Sequence, residues 1–197
     1  MINKKAYKEF YTSQEADNWG LEHFGSWNRD MRLNKNDVSQ LLFNYAGNMS
    51  IIYNLFLRGY KDLTEEEVKE YSRDTYIIAN EIRKFELKEN IIVYRYTSNA
   101  LFKLLFDTKK PNVGQVFEDK GFMSTTLVQN QLKDFAKTHN YNCLLKLYLP
   151  VGTKGVYIKF SLLNECEFLL PPNSKFRLIR KYWNLSFQRV YECELVN

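Results

Sequence analysis

Glycine and proline are scarce in this chain, 8 and 4 of 197 residues, which excludes collagen-like and low-complexity disordered classes. Cysteine is scarcer still. The three thiols, Cys143, Cys166 and Cys193, form an odd set without metal or redox spacing, so a disulfide framework is not expected and buried thiols are. No run approaches the 18 apolar residues that span a bilayer, and Met1 to Phe10, with Lys4, Lys5, Lys8 and Glu9, shows no export signal. Repeats and obvious linkers are also absent. Basic residues exceed acidic ones by 28 to 23, a net charge of +5 that favours acidic or anionic partners. The densest basic pieces, Lys109-Lys110 and Arg177, Arg180, Lys181, are too short to track a phosphate backbone, so nucleic acid is not an expected partner.

What is present is material for a core. The chain is 45% hydrophobic and 16% aromatic, and one domain of this length hides roughly 70% of its unfolded surface. Apolar positions recur at three and four through residues 1–85: Ala16, Trp19, His23, Trp27, then Val38, Leu41, Leu42, Tyr45. A third helix is expected over Ser50 to Arg58. Thr64 and Glu67 form a capping box ahead of a fourth helix with Val68, Tyr71, Thr75, Ile78 and Ile82 on one face. From Ile91 the pattern turns to short β-rich runs: Ile91–Tyr96, Gly121–Thr126, Cys143–Leu149, Gly155–Phe160, Glu165–Leu170, and two closing runs from Lys175 and Ser186. Short helices are expected over Asn99–Phe106 and Gln131–Lys137. Helices first and strands afterwards predict one α+β domain over 1–197, mainly helical in 1–85 and β-rich in 91–197.

Three segments of the β-rich half carry possible chemistry. Arg95 interrupts the apolar run Val93-Tyr94-Arg95-Tyr96, where a guanidinium either meets an anion or lies on a solvated edge. Ser124-Thr125-Thr126 is a hydroxyl run or simply a β-favouring strand, with Ser124 and Thr126 to one side and Thr125 to the other. Glu165-Cys166-Glu167, read as a strand, turns both carboxylates to one face, an arrangement that can stabilise an oxocarbenium ion or hold a cationic substrate. The chain repeats the tripeptide at Glu192-Cys193-Glu194. There Tyr191, Cys193 and Leu195 alternate with the acids, as in a last strand with a wet face, so Glu-x-Glu alone is a weak signal.

The combination is more specific. Arg95 on a strand, then Ser124-Thr125-Thr126, then Glu165-Cys166-Glu167 followed by Leu169-Leu170-Pro171, resembles the arginine, Ser-Thr-Ser and Glu-x-Glu signature of mono-ADP-ribosyltransferases. Glu15-Ala16-Asp17-Asn18-Trp19-Gly20 with Trp27, and Tyr45 through Asn54-Leu55-Phe56-Leu57-Arg58-Gly59, resemble the N-terminal pattern of the bacterial exotoxin branch, which includes the enzymatic components of clostridial and insecticidal binary toxins. Phe135-Ala136-Lys137 is similar to the branch's loop over nicotinamide. The resemblance spans about Glu15 to Ile179.

It implies the ADP-ribosyltransferase fold, a helical layer followed by a β-sandwich-like core of two packed, mostly antiparallel sheets. It also implies NAD as co-substrate and no metal. Glu167 is then the carboxylate that stabilises the oxocarbenium-like ribose and binds its hydroxyl, and Ser124 fixes its direction. Arg58 and Arg95 clamp the NAD phosphates and neighbouring ribose, with Asn54, Phe135 and Thr125 as further NAD contacts. Glu165 predicts arginine as acceptor, because a target guanidinium needs an anion that orients it and favours loss of its proton. The segment Phe160-Ser161-Leu162-Leu163-Asn164 is the implied recognition loop, with Phe160 and Leu162 toward the target.

Leu162 stands where many relatives carry an aromatic, so actin is the leading target among several rather than a fixed one. Gly121, Thr138 and Pro171-Pro172 also depart from the branch's pattern. The implied partner is a host protein, reached in the host cytosol after secretion or delivery, with or without a separate translocation component and without membrane insertion. Other outcomes of the same resemblance are an NAD glycohydrolase, a transferase to asparagine of a Rho-type GTPase, and an inactive binding module of this fold.

Overall fold

A computed structural model describes residues 3–34, 36–60, 62–98, 100, 111–160, 165–185 and 188–196. Helix α1 (Ser13–Leu33) starts where the Thr12 hydroxyl accepts the Glu15 N–H at 3.2 Å, and it buries Ala16, Trp19, Phe24, Trp27 and Met31 along one side. His23, expected on that face, sits outside it and stacks on Trp19, while Phe24 takes the core position. The apolar ring is the one whose burial releases water without stranding a polar nitrogen.

Helices α2 (Asp37–Asn44) and α3 (Ser50–Leu57) are joined by a π-type segment, Tyr45–Met49, kinked at Gly47. Helix α4 (Glu65–Arg83) carries the expected capping box: Thr64 and Glu67 satisfy each other's backbone N–H groups. Its inner face holds Tyr71, Thr75, Ile78 and Ile82, whereas Val68 is exposed at the first turn. Trp27 donates its indole N–H to Glu81 at 3.1 Å, which ties α1 to α4. Among the described residues no helix is long and apolar enough to cross a membrane.

The strands are β1 (Ile91–Thr97), β2 (Val116–Asp119), β3 (Met123–Thr126), β4 (Cys143–Leu149), β5 (Val156–Ile158), β6 (Glu167–Leu170), β7 (Ser174–Trp183) and β8 (Arg189–Val196), with a short helix α5 (Lys133–Thr138) between β3 and β4. They hydrogen-bond in the order β2-β7-β8-β4-β1-β3-β6-β5, antiparallel throughout except for β4 with β8. The α+β arrangement expected from the sequence is therefore the one found. In place of two separate sheets there is one ladder with a thin seam, because β1 and β3 share the single pair Tyr94↔Thr126. Strand β2 was not anticipated: four residues ending in Glu118-Asp119 offer no readable alternation. The helix expected over 99–106 falls, Ala100 apart, outside the described residues.

Side chains alternate across β1, so Ile91, Val93 and Arg95 face the helical side and Ile92, Tyr94 and Tyr96 face the other. Ile91 and Val93 join the main core under α1 and α4, and the second set packs with Leu144, Tyr148 and Val190 beneath Ala136 of α5. Helix α1 approaches the sheet closely at Gly20, where an added Cβ would lie 2.2 Å from the Tyr157 ring. Asn28 then closes the free edge of β5, donating to the Tyr157 carbonyl at 2.9 Å and accepting the Lys159 N–H at 2.8 Å.

Candidate active site

Sequence alternation brings Arg95 to the seam where β1 and β3 splay apart. Its Nη1 donates to the Ser124 carbonyl at 2.9 Å, filling an acceptor that a longer β1–β3 ladder would have used. Its Nε is buried with no hydrogen-bond partner among the described residues. Burial pulls the guanidinium pKa down, an effect that Asp119 opposes and Arg58 reinforces, so the three groups share one field.

Arg58 caps the C-terminus of α3 and grips Asp119 as a fork, Nε and Nη2 each at 2.9 Å from a carboxylate oxygen. Asp119 is fully buried at the end of β2 and also accepts the Gly121 N–H at 2.9 Å. One turn before Arg58, Asn54 accepts the Phe122 N–H at 2.7 Å and donates to the Tyr45 hydroxyl at 3.4 Å. Gly121 makes this crowding possible, since a Cβ there would stand 2.7 Å from Asn54 Oδ1 and 3.0 Å from Arg58 Cζ. The departure at Gly121 noted in the sequence thus has a steric reason.

Glu167 opens β6, opposite Thr126 on β3 and Ile158 on β5. It is 6% exposed, accepts a hydrogen bond from Ser124, and has its pKa pushed up to about 7, chiefly by burial and further by Glu165, with Ser124 and Arg95 pulling the other way. Glu165 is half-buried and its pKa is also raised by burial. The two carboxyls are neighbours, but not by strand alternation: β6 begins only at Glu167, and Cys166 takes a left-handed conformation with φ +48°.

Tyr45, on the π-type segment, is buried against Phe122 with ring centroids 5.0 Å apart, and its hydroxyl is held in the neutral form first by burial and then by Glu167. The hydroxyl thus accepts from Asn54 and feels the charge of Glu167. Tyr45 in this role, Asp119 and Gly121 were not singled out as site residues. Nothing in Phe117-Glu118-Asp119-Lys120 marks Asp119, whereas the kink that places Tyr45 is a known habit of functional helices.

The remaining expected residues divide. Phe135, on α5, is 42% exposed and stacks on His139 with centroids 3.9 Å apart, presenting an open ring face. Thr125 turns to the face of buried Met123, and its hydroxyl donates to the Phe168 carbonyl at 2.6 Å. There it braces β6. Phe160 is buried against Trp27 and Phe43, with centroids 5.8 and 4.8 Å away. Leu162 lies outside the described residues.

Two guanidiniums against one buried aspartate, a buried guanidinium N–H without a partner among the described residues, and a carboxylate steered by a hydroxyl form a cluster whose chemistry suits a dinucleotide with a cationic leaving group. A profile of the ADP-ribosyltransferase exoenzyme family matches residues 16–186. The chain belongs to that family. Membership makes ADP-ribose transfer from NAD its reaction class. The C3 exoenzyme of Clostridium limosum is similar in structure at 21% identity, with 97% of this chain and 98% of that one covered and a TM-score of 0.77. Plx2a, an ADP-ribosyltransferase toxin from Paenibacillus larvae, is similar at 19% identity over 96% and 99%, TM-score 0.75. The ADP-ribosylating toxin BECa of C. perfringens, solved with NADH, is similar at 21% identity and TM-score 0.79, covering 96% of this chain and 50% of that one. A sequence search of curated proteins found no match.

Proposed function

We propose that this chain is a single catalytic module that transfers ADP-ribose from NAD to an arginine of a host protein, with actin the first target to try. The observation that carries the reading is the pair of neighbouring carboxyls, one steered by Ser124 and one half-buried beside it, near a guanidinium whose buried Nε has no partner among the described residues. In it, Arg95 and Arg58 bind the pyrophosphate, and Phe135 offers its ring face to nicotinamide. The bond between ribose C1′ and the pyridinium nitrogen breaks, its electron pair leaving with neutral nicotinamide, and Glu167 stabilises the cationic ribose. A guanidine nitrogen of the target attacks C1′ and its proton passes to Glu165.

Burial makes the Glu165 carboxylate a stronger base than an exposed one, which favours that last step. The same carboxyl weighs against an asparagine acceptor, whose amide needs no counter-charge. Water in place of the guanidine makes the enzyme an NAD glycohydrolase. The deciding experiment measures nicotinamide release by the purified protein with and without host-cell lysate, and maps the attachment atom by mass spectrometry after labelling with tagged NAD. Release that is stimulated by lysate, with ADP-ribose on arginine, is expected. Labelled asparagine, or no release in either sample, overturns the reading.

A further inference from the structure

Three non-glycine residues have positive φ among those described: Asn140, Asn173 and Cys166. The two asparagines follow α5 and precede β7, and asparagine enters the left-handed region readily. Cys166 has no such licence, and it stands between the two site carboxyls. A strained backbone of this kind persists only where its surroundings over-determine it. Here they do so from four sides. The Thr126 hydroxyl donates to the Glu165 carbonyl at 2.7 Å, and the Leu127 N–H donates to the Cys166 carbonyl at 3.0 Å, so both carbonyls of the turn are tied to the end of β3. The thiol is buried and points to the Ser13 carbonyl at 4.0 Å, in the first turn of α1. Tyr157, beside the thiol, is bonded through its hydroxyl to Asp17, which also holds Lys159 at 2.6 Å.

Glu167 needs none of these ties. It is fixed by its own pairing with Thr126 and Ile158 and by Ser124. Glu165 has no strand to hold it, and its direction follows from the turn that precedes Glu167. We propose that the pinned left-handed turn at Cys166 is a positioning device that sets the direction of Glu165, and so decides how much cleaved NAD is passed to a guanidine acceptor rather than to water. Cys166 and Thr126 act through Glu165 and touch no reactant. This rests on the reading of Glu165 as the group that orients the acceptor.

The test follows two rates in the full chain: nicotinamide release from NAD alone, and transfer to agmatine, a small guanidine that needs no protein docking. Thr126→Val removes the hydroxyl, with Thr126→Ser as its conservative rescue. Cys166→Ala removes the thiol but keeps a side chain at positive φ, and Cys166→Ser restores a polar anchor. Transfer to agmatine is expected to fall about tenfold in Thr126→Val and Cys166→Ala. Release without acceptor and the KM for NAD should stay within about twofold, and both serine variants should recover most of the transfer. If both rates fall together, if neither moves, or if the serine variants rescue nothing, the turn is only structural and the proposal fails. Should Thr126→Val not fold, the Cys166 pair decides alone. A wild-type protein that releases nicotinamide yet never modifies agmatine sinks the acceptor reading and this proposal with it. One that transfers equally well in all variants sinks this proposal only.

Discussion

The chain carries the tripeptide Glu-Cys-Glu twice, and the two copies meet opposite fates. In 192–194 the residues lie in a regular strand, β8, with Cys193 fully buried in the main core and both acids turned to the other face. That face is not simply wet: Glu192 is buried and bound to Lys4, and Glu194 pairs with Arg177 at 3.0 Å. In 165–167 the cysteine adopts a left-handed turn, Glu165 stands outside the strand, and Glu167 is buried with a hydroxyl and another carboxyl as near neighbours. Each acid of the second copy is neutralised by a cation of its own. In the first, Glu167 shares one field with Arg95 and its proton affinity is raised by burial and further by Glu165, while that of Glu165 is raised by burial. The difference between a structural strand and a reactive site therefore lies in what faces the acids, not in the tripeptide.

The largest effect that tests this contrast is Glu167→Gln, which removes the carboxylate that the proposed reaction sets against the ribose. NAD cleavage and transfer should both fall by about 10³-fold or more, read as nicotinamide release and as label on target. Glu165→Gln should come next, with transfer to arginine down roughly 10- to 100-fold and acceptor-free cleavage far less affected. Were the two variants to lose cleavage equally, the division of labour between the carboxyls would be broken.

Much of this was legible in the sequence, for reasons that can be named. Periodicity exposed α1 and α4 because each buries one face, and Thr64 with Glu67 marked the start of α4 to the residue. Arg95, Ser124 and Glu167 were singled out by the resemblance of the whole set, because each segment alone also allowed a purely structural reading. Two kinds of information were hidden. Asp119, the partner of Arg58, comes from a four-residue edge strand 61 positions away, and such a pairing leaves no local trace. The conformation of Cys166 depends on contacts from β3, α1 and β5, so strand alternation gave the right neighbours, Glu165 and Glu167, by the wrong geometry. Thr125 and Phe160 both pack into the fold, since a hydroxyl or an aromatic ring near a motif is as useful to the core as to a ligand.

The pKa of Glu167 sharpens the comparison at a smaller scale. It is about 7 in the fold, above the ordinary carboxylate value, so between roughly pH 4.5 and 7 the folded protein holds a proton that the unfolded chain has released. The stability contributed by that proton is present at low pH and is lost as pH rises through 7. Glu167→Gln removes this loss. Its melting temperature should match wild type near pH 4.5 and exceed it at pH 8 by roughly 4 to 8 °C, for a difference on the order of 2 kcal/mol. Cleavage by wild type, which needs the carboxylate, should rise over the same interval. Equal melting temperatures at pH 8 would mean that Glu167 is as well compensated as Glu192, and the contrast would lose its electrostatic basis.

The smallest effect belongs to Glu194→Gln. Its partner Arg177 is about half exposed, and an ion pair of that kind is worth no more than about 1 kcal/mol because water and salt already screen it. Gln keeps the shape and one acceptor for Arg177, so the melting temperature should move by less than about 3 °C. The difference from wild type should shrink further in high salt, and NAD cleavage should stay within about twofold. Glu194 sits on β8, two strands from β1 and further still from β6 across the seam, and none of the groups that share the field of Glu167 touches it. If Glu194→Gln abolished cleavage while Glu167→Gln did not, the second copy would be the reactive one, and the site would have to be sought around β7 and β8.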